Sequence, residues 1–343
     1  MSYAIENLKF TIFGHGYEST RADSGVGVKS YEEDVRAYCA VIDETNTYMW
    51  LVGDNGTVSK RKISDFSSVE QSAIPSAVSR IMHPSNVSNN YGVATGLDGT
   101  TAYIFDLTDD TLYGTVTGTF PSNVGFTSYD CILVNNKIYF VNTRTVNVNN
   151  HQIYIIDLSD MTFDGSVTTS GMGICGFISN SLIYGVYSRE WFYQTSCAYG
   201  IALDGSVVWS NTGINRNDYM DCWGFVGNGK IYCPVLIDDT WHFGEFDALS
   251  SPSFNPVSPS RTFGSFENVP ALELSGHGYN LDVAYNDGKT RACIWTQLGL
   301  LLTDFHKVEK ISDENVVPLA CSDRYIICSD FDPYSEKLYV MGV

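Results

Sequence analysis

Basic residues are scarce in this chain: twenty lysines and arginines stand against thirty-nine aspartates and glutamates, a formal net charge of −19. That balance repels nucleic acid and anionic lipid unless the bases gather on one patch, and here they are scattered, so neither is expected as a partner. Charged residues together make up only 17%, against 44% hydrophobic. Long apolar runs are missing as well, none approaching the roughly 18 residues of a membrane-spanning helix. The opening Met1-Ser2-Tyr3-Ala4-Ile5-Glu6-Asn7 has no basic region followed by an apolar stretch, so no signal peptide is expected. With ample apolar and aromatic material to offset the entropy of ordering, disorder is not expected for most of the chain.

Patterns that carry chemistry are equally thin. The six histidines, at 15, 83, 151, 242, 277 and 306, form no H-x-x-x-H or H-E-x-x-H pair, and there is no Gly-x-Ser-x-Gly elbow. Gly14-His15-Gly16-Tyr17 and Gly276-His277-Gly278-Tyr279 repeat four residues and read as glycine-flanked turns leading into strands. Aspartates concentrate in turn-like stretches, where Asp caps its own backbone amides. Asp54, Asp109, Asp110, Asp160 and Asp204 are expected after the third strand of a repeat, and Asp43, Asp98, Asp238, Asp239, Asp287 and Asp330 between the second and third. Asp330-Phe331-Asp332-Pro333-Tyr334-Ser335-Glu336 offers oxygen donors without the spacing or glycine of a calcium loop. The nine cysteines show no paired C-x-x-C at zinc spacing. Cys39, Cys131, Cys175, Cys222, Cys233, Cys293, Cys321 and Cys328 sit in apolar or strand-like runs, where free cysteine behaves as a small hydrophobe. All nine are expected to be free thiols in a reducing compartment. No catalytic residue, metal or cofactor is expected.

What the sequence does contain is short alternation. Runs such as Lys9-Phe10-Thr11-Ile12-Phe13 and Gln152-Ile153-Tyr154-Ile155-Ile156 recur, while helical spacing is never sustained, so the chain reads as all-β. Tyrosines at 38, 91, 139, 184, 232, 279 and 325 follow one another at 53, 48, 45, 48, 47 and 46 residues. Around three of them the text nearly repeats: Cys131 to Tyr139, Cys175 to Tyr184 and Cys222 to Tyr232 each read as strand, tight Asn or Gly turn, strand. A second series follows each tyrosine and reads as the third strand: 48–52, 102–107, 153–158, 199–204, 243–247, 292–295 and 337–340. Each unit is thus a meander of up to four strands, about 48 residues long. A unit of that kind cannot bury both faces alone, but seven packed face to face around an axis can. The expectation is a seven-bladed β-propeller of four-stranded antiparallel blades, with the tyrosines on second strands against the next blade.

At the level of the blade the chain resembles known propeller families. Asn136-Lys137-Ile138-Tyr139 and Asn228-Gly229-Lys230-Ile231-Tyr232 look like the second strand of kelch-type repeats, without the glycine pair that follows in that family. Ala202-Leu203-Asp204-Gly205-Ser206-Val207-Val208-Trp209 resembles a shortened form of the quinoprotein-type motif, in which an Asp turn and a Trp lock neighbouring blades. It occurs once, and no quinone pocket is carried over. Asp204-Gly205 with Trp209 matches the Asp box of sialidase-type propellers only superficially, and the WD-type signature is missing.

The last unit, with strands near Val316 to Cys321, Arg324 to Ser329 and Lys337 to Val343, stops one strand short. Leu8 to Phe13 is expected to supply it, closing the ring and removing an edge. The whole chain, 1–343, is then one propeller, with 1–34 as closing strand and connector and 35–343 as blades. One loop departs from turn chemistry: Ser188-Arg189-Glu190-Trp191-Phe192-Tyr193-Gln194, whose three consecutive aromatics cannot all face inward on an alternating strand. Arg189, Trp191, Phe192 and Tyr193 are the expected binding residues, since aromatic clusters are enriched at interfaces. Abundant Asn, Ser, Thr, Gly and Tyr with scarce lysine resemble bacteriophage virion proteins assembled in a host cytoplasm. The expected function is a non-enzymatic structural or adhesive subunit of a phage tail or baseplate. Its partners would be other virion proteins or a cell-surface glycan. The alternative is a soluble bacterial propeller that binds protein or glycan, with a glycan-active enzyme third.

Overall fold

The computed structural model describes residues 3–4, 29–32, 36–122, 129–143, 150–170, 173–188, 195–215, 224–238, 240–248, 259–267, 282–296, 298–312, 316–330 and 337–343. Strands carry the fold, and the described helical structure is a single 3-10 turn at Asp287–Lys289. They form seven antiparallel sheets, six of four strands and one of five, in which sequence neighbours pair except where Lys29–Glu32 joins Lys337–Gly342. The first strands are Ala37–Ile42, Val78–Met82, Tyr129–Val134, Gly173–Ser179, Phe225–Gly227, Asp282–Tyr285 and Val316–Cys321. They lie against one another around the axis, so the architecture is a seven-bladed β-propeller.

Tight turns of the expected chemistry join first to second strands. Asn135 and Asn136 take φ of 49° and 63°, and Asn228 and Gly229 take 47° and 69°, the left-handed values of a two-residue hairpin that Asn and Gly adopt at least cost. Between blades the packing is apolar and divides into seven clusters, one for each interface of the ring. Tyr184 and Tyr232 are fully buried in the interfaces of blades 4 and 5 and of blades 5 and 6. Tyr91, Tyr139 and Tyr325, each half-buried, serve three others. Two tryptophans add directional ties: Trp50 Nε1 donates to the Leu107 carbonyl of the next blade at 2.8 Å, and Trp209 Nε1 to that of Ala248 at 2.9 Å. Trp209 therefore locks blade 4 to blade 5, as the quinoprotein-type resemblance implied.

The expected period holds, but its phase slips in two blades. Tyr91, Tyr139, Tyr184, Tyr232 and Tyr325 fall on second strands, whereas Tyr38 lies on the first strand of blade 1 and Tyr279 lies outside the described residues. Tyr48–Gly53 and Ala292–Thr296, read as third strands, are second strands. Asp43 and Asp287 accordingly stand between first and second strands, and Asp54 between second and third. Alternating runs and Asp-rich turns look alike at every connection of a meander, so neither marks which strand it follows.

The closing strand also differs from expectation. Lys29–Glu32 pairs with Lys337–Gly342, from Lys29 opposite Val340 to Glu32 opposite Lys337, and Tyr3–Ala4 pairs outside it. Leu8 to Phe13 lies outside the described residues, and Lys337–Gly342 already has Tyr325–Asp330 on its other edge. The ring is closed from the N-terminal region as expected, but by a polar segment. An outer blade strand is held by backbone pairing and needs no apolar run.

Candidate functional site

Arg189, Trp191, Phe192 and Tyr193 lie outside the described residues. Their bracketing strands, Leu182–Ser188 and Thr195–Ala202, are the second and third of blade 4, paired as far as Ser188 opposite Ser196. The loop therefore occupies the expected connection. Both Gly-His-Gly-Tyr stretches, Asp239, Cys222 and the segment 331–336 also lie outside the described residues. Several aspartates do cap turns: Asp98 accepts from the Thr100 amide at 2.8 Å and Asp204 from that of Ser206 at 2.9 Å. The Thr100 amide holds the Asp98 carboxyl below the usual range, and the Ser206 hydroxyl, followed by its amide, does the same for Asp204.

The charges that organise the channel are others. Asp130, second residue of the blade 3 inner strand, accepts from the Cys131 amide at 2.9 Å and, from blade 4, the Phe177 amide at 2.6 Å. Lys289 arrives from the blade 6 turn, donates to Asp130 Oδ2 and also bonds the Phe177 carbonyl at 2.8 Å. The side chains of Lys289 and Asp130 are 7% and 3% exposed. Burial pushes the Lys289 ammonium down, and the charge and hydrogen bond of Asp130 oppose it. The Lys289 ammonium also stands 5.0 Å from the Tyr285 ring centre. The Tyr285 hydroxyl in turn accepts from the blade 5 amide of Val226 at 3.1 Å.

Beside this pair the long first turn of blade 2 crosses the channel. His83 Nε2 lies 2.9 Å from Asp287 Oδ1 of blade 6 and Nδ1 lies 3.0 Å from the Tyr91 carbonyl. The Gly288 amide donates to the Ser85 carbonyl at 2.6 Å. Asn86 bonds both backbone groups of Leu133 in blade 3, at 2.8 and 2.9 Å, and Asn180 in blade 4 at 2.8 Å. The turns of blades 2 and 6 are thereby fastened to each other and to blades 3 and 4.

That arrangement leaves a cavity of about 440 Å³ on the side of blades 7, 1 and 2. Among its lining residues are Tyr38, Glu44, Arg80, Tyr129, Asp287 and Asp323. The inner strands of these three blades each carry a β-bulge, between Pro318 and Ala320, Ala37 and Cys39, and Val78 and Arg80. A bulge bends a strand and re-aims its side chains. Blade 4 has two of its own. The buried Arg80 guanidinium stacks on Tyr129, 3.8 Å from the ring centre, a cation–π contact. Cys39 and Cys131 also line the cavity, and burial raises both thiols, keeping them in the unreactive neutral form.

Sequence reading singled out neither Asp130 nor Lys289, and read Asp287 only as a turn residue and His83 only as one of six histidines. A signal was present: Asp130 and Arg80 are charges set inside otherwise apolar inner strands, where burial demands a partner. Their partners lie in other blades and leave no local trace.

No protein-family model and no curated protein sequence matches the chain. Solved structures do. Hydrazine synthase of Kuenenia stuttgartiensis aligns with a TM-score of 0.55 at 9% identity, covering 91% of this chain and 97% of that one. The Cps50 (Swd1) β-propeller domain of Myceliophteria thermophila aligns at 0.54 and 9% identity, covering 91% and 98%. Raptor of Chaetomium thermophilum aligns at 0.53 and 9% identity over 92% of this chain, but 28% of its own. Identity this low establishes likeness of fold alone. Among the described residues no helix is long and apolar enough to cross a membrane.

Proposed function

We propose that this propeller is a non-enzymatic structural or adhesive subunit that acts through protein–protein contacts, as a tail or baseplate component of a bacteriophage virion. The observation that supports this reading best is the use of buried charge. Asp130 and Lys289 tie blades 3, 4 and 6 to one another. Such cross-channel struts suit a rigid ring that presents its loops to neighbours. In this reading the whole chain, 1–343, is one unit, and Arg189, Trp191, Phe192 and Tyr193 form its contact surface. The test is to band particles from cells that express the chain in its own genomic context and probe them by mass spectrometry. Stoichiometric incorporation supports the reading, and its loss in a W191S/F192S/Y193S variant with unchanged thermal unfolding places the contact in that loop. A chain found only in the soluble fraction overturns it.

A second reading, a soluble propeller that binds protein or glycan, is favoured by the cavity. Its volume of about 440 Å³ falls within the roughly 300–1,000 Å³ of ligand pockets. Glycan-array binding by the free chain that is lost in Arg80→Met would support it over the first.

A further inference from the structure

We infer that His83 is a doubly protonated clasp that holds the turn of blade 2 to the turn of blade 6 across the channel and releases when it loses a proton. The argument is geometric. Both ring nitrogens face acceptors, a carboxylate oxygen at 2.9 Å and a backbone carbonyl at 3.0 Å. Neutral imidazole carries one N–H, so it satisfies one of these and turns a lone pair toward the other. Only the imidazolium donates to both. The ring is largely enclosed, its side chain 10% exposed, so water is a poor substitute partner, whereas Asp287 is 33% exposed and can turn to solvent.

The two contacts are not equivalent. Tyr91 belongs to a paired strand, Tyr91–Gly96, and its carbonyl is fixed, while Asp287 rides on a short turn. Deprotonated His83 therefore keeps Tyr91 and lets go of Asp287. What remains between the two turns is the Gly288 to Ser85 backbone bond. His83, Ser85, Asp287 and Gly288 all line the cavity, so release opens its wall on the blade 6 side.

The charged groups around the ring set the direction of its titration. Burial disfavours the imidazolium, but the hydrogen bond and charge of Asp287, the Tyr91 carbonyl and the charge of Glu44 together raise its pKa above the ordinary value. Beyond these, Asp43, Asp323 and Arg80 share the cavity, and the Asp130–Lys289 pair stands behind Ser85. A raised folded-state pKa means that the clasp contributes fully below about pH 6.5, the ordinary histidine value, and is lost as pH rises through the higher value.

The experiment is an NMR titration of the full chain with ¹⁵N-labelled histidine rings, His83 being assigned by its loss in H83Q. At pH 6 both His83 ring nitrogens should carry protons, and the midpoint should lie above 6.5. D287N should lower that midpoint, and the Gly288 amide should shift with the same midpoint as the ring in the unmodified chain. If H83Q does not fold, through-bond transfer from the assigned His83 backbone amide identifies the ring. A neutral single tautomer at pH 6, a midpoint below 6.5, a midpoint unmoved by D287N, or a Gly288 amide that does not follow the ring each overturns the clasp.

Discussion

Lys289 and Asp130, 159 residues apart, form a buried ion pair that joins the turn of blade 6 to the inner strand of blade 3. The Asp130 carboxylate also takes the Phe177 amide of blade 4, and Ser85 of blade 2 approaches it at 3.5 Å. Four blades thus converge on one side chain. In a propeller each blade otherwise touches only its neighbours, so this junction couples blades that the ring keeps apart.

The first prediction follows from that geometry. Lys289→Met leaves the buried Asp130 carboxyl without its cationic partner, and removal of one partner of a buried pair costs about 3–5 kcal/mol. Denaturant unfolding should show a loss of that size. D130N/K289M should recover part of it, because asparagine still accepts from the Phe177 amide without a buried charge. A double-variant loss equal to the sum of the separate D130N and K289M losses would show that the pair is uncoupled.

Trp209 offers a cleaner test of an interblade tie. Trp209→Phe keeps most of the apolar area but leaves the Ala248 carbonyl without its donor, at a cost of about 1–3 kcal/mol. Against the same indole, a Cβ at Gly200 would lie 2.1 Å from Nε1. Gly200→Ala should therefore be destabilising alone and much less so when Trp209 is leucine. Additive losses in the two unfolding midpoints would refute the contact.

Closure predicts two different truncations. Deleting residues 1–32 removes Lys29–Glu32 and bares the edge of Lys337–Gly342, so size-exclusion chromatography should show aggregation. Among the described residues, deleting 1–13 removes the short outer pairing of Tyr3–Ala4 and keeps Lys29–Glu32, so a folded ring without aggregation is expected. The reverse ranking would mean that the closing strand lies elsewhere.

Thiol chemistry gives a fourth. The seven cysteines whose side chains are described, Cys39, Cys131, Cys175, Cys233, Cys293, Cys321 and Cys328, are free. Burial pushes Cys233 and Cys321 up to about 12, so at pH 8 only about one in ten thousand of either is thiolate. Thiol titration under non-reducing denaturation should count nine, while in the native chain Cys233 and Cys321 stay unlabelled on the timescale of free cysteine. A count of seven or fewer in denaturant would reveal a disulfide.

The period, the strand class and five of the seven expected packing tyrosines were legible in the sequence, because each depends on neighbours along the chain. Alternation selects a strand, Asn135-Asn136 and Asn228-Gly229 select hairpins, and an aromatic such as Tyr184 or Tyr232 on one face of a four-stranded unit must find a second sheet. The tertiary structure alone decided the rest. Which meander strand comes first in blades 1 and 6 is decided by which segments pair, since alternating runs and Asp turns look alike at every connection, and a polar Lys29–Glu32 closes the ring because an outer strand is held by backbone pairing. The channel junction was beyond local reading for a related reason. Asp130, Phe177, His83, Asp287 and Lys289 come from four blades, and only the curvature of the full ring brings them within a hydrogen bond of one another.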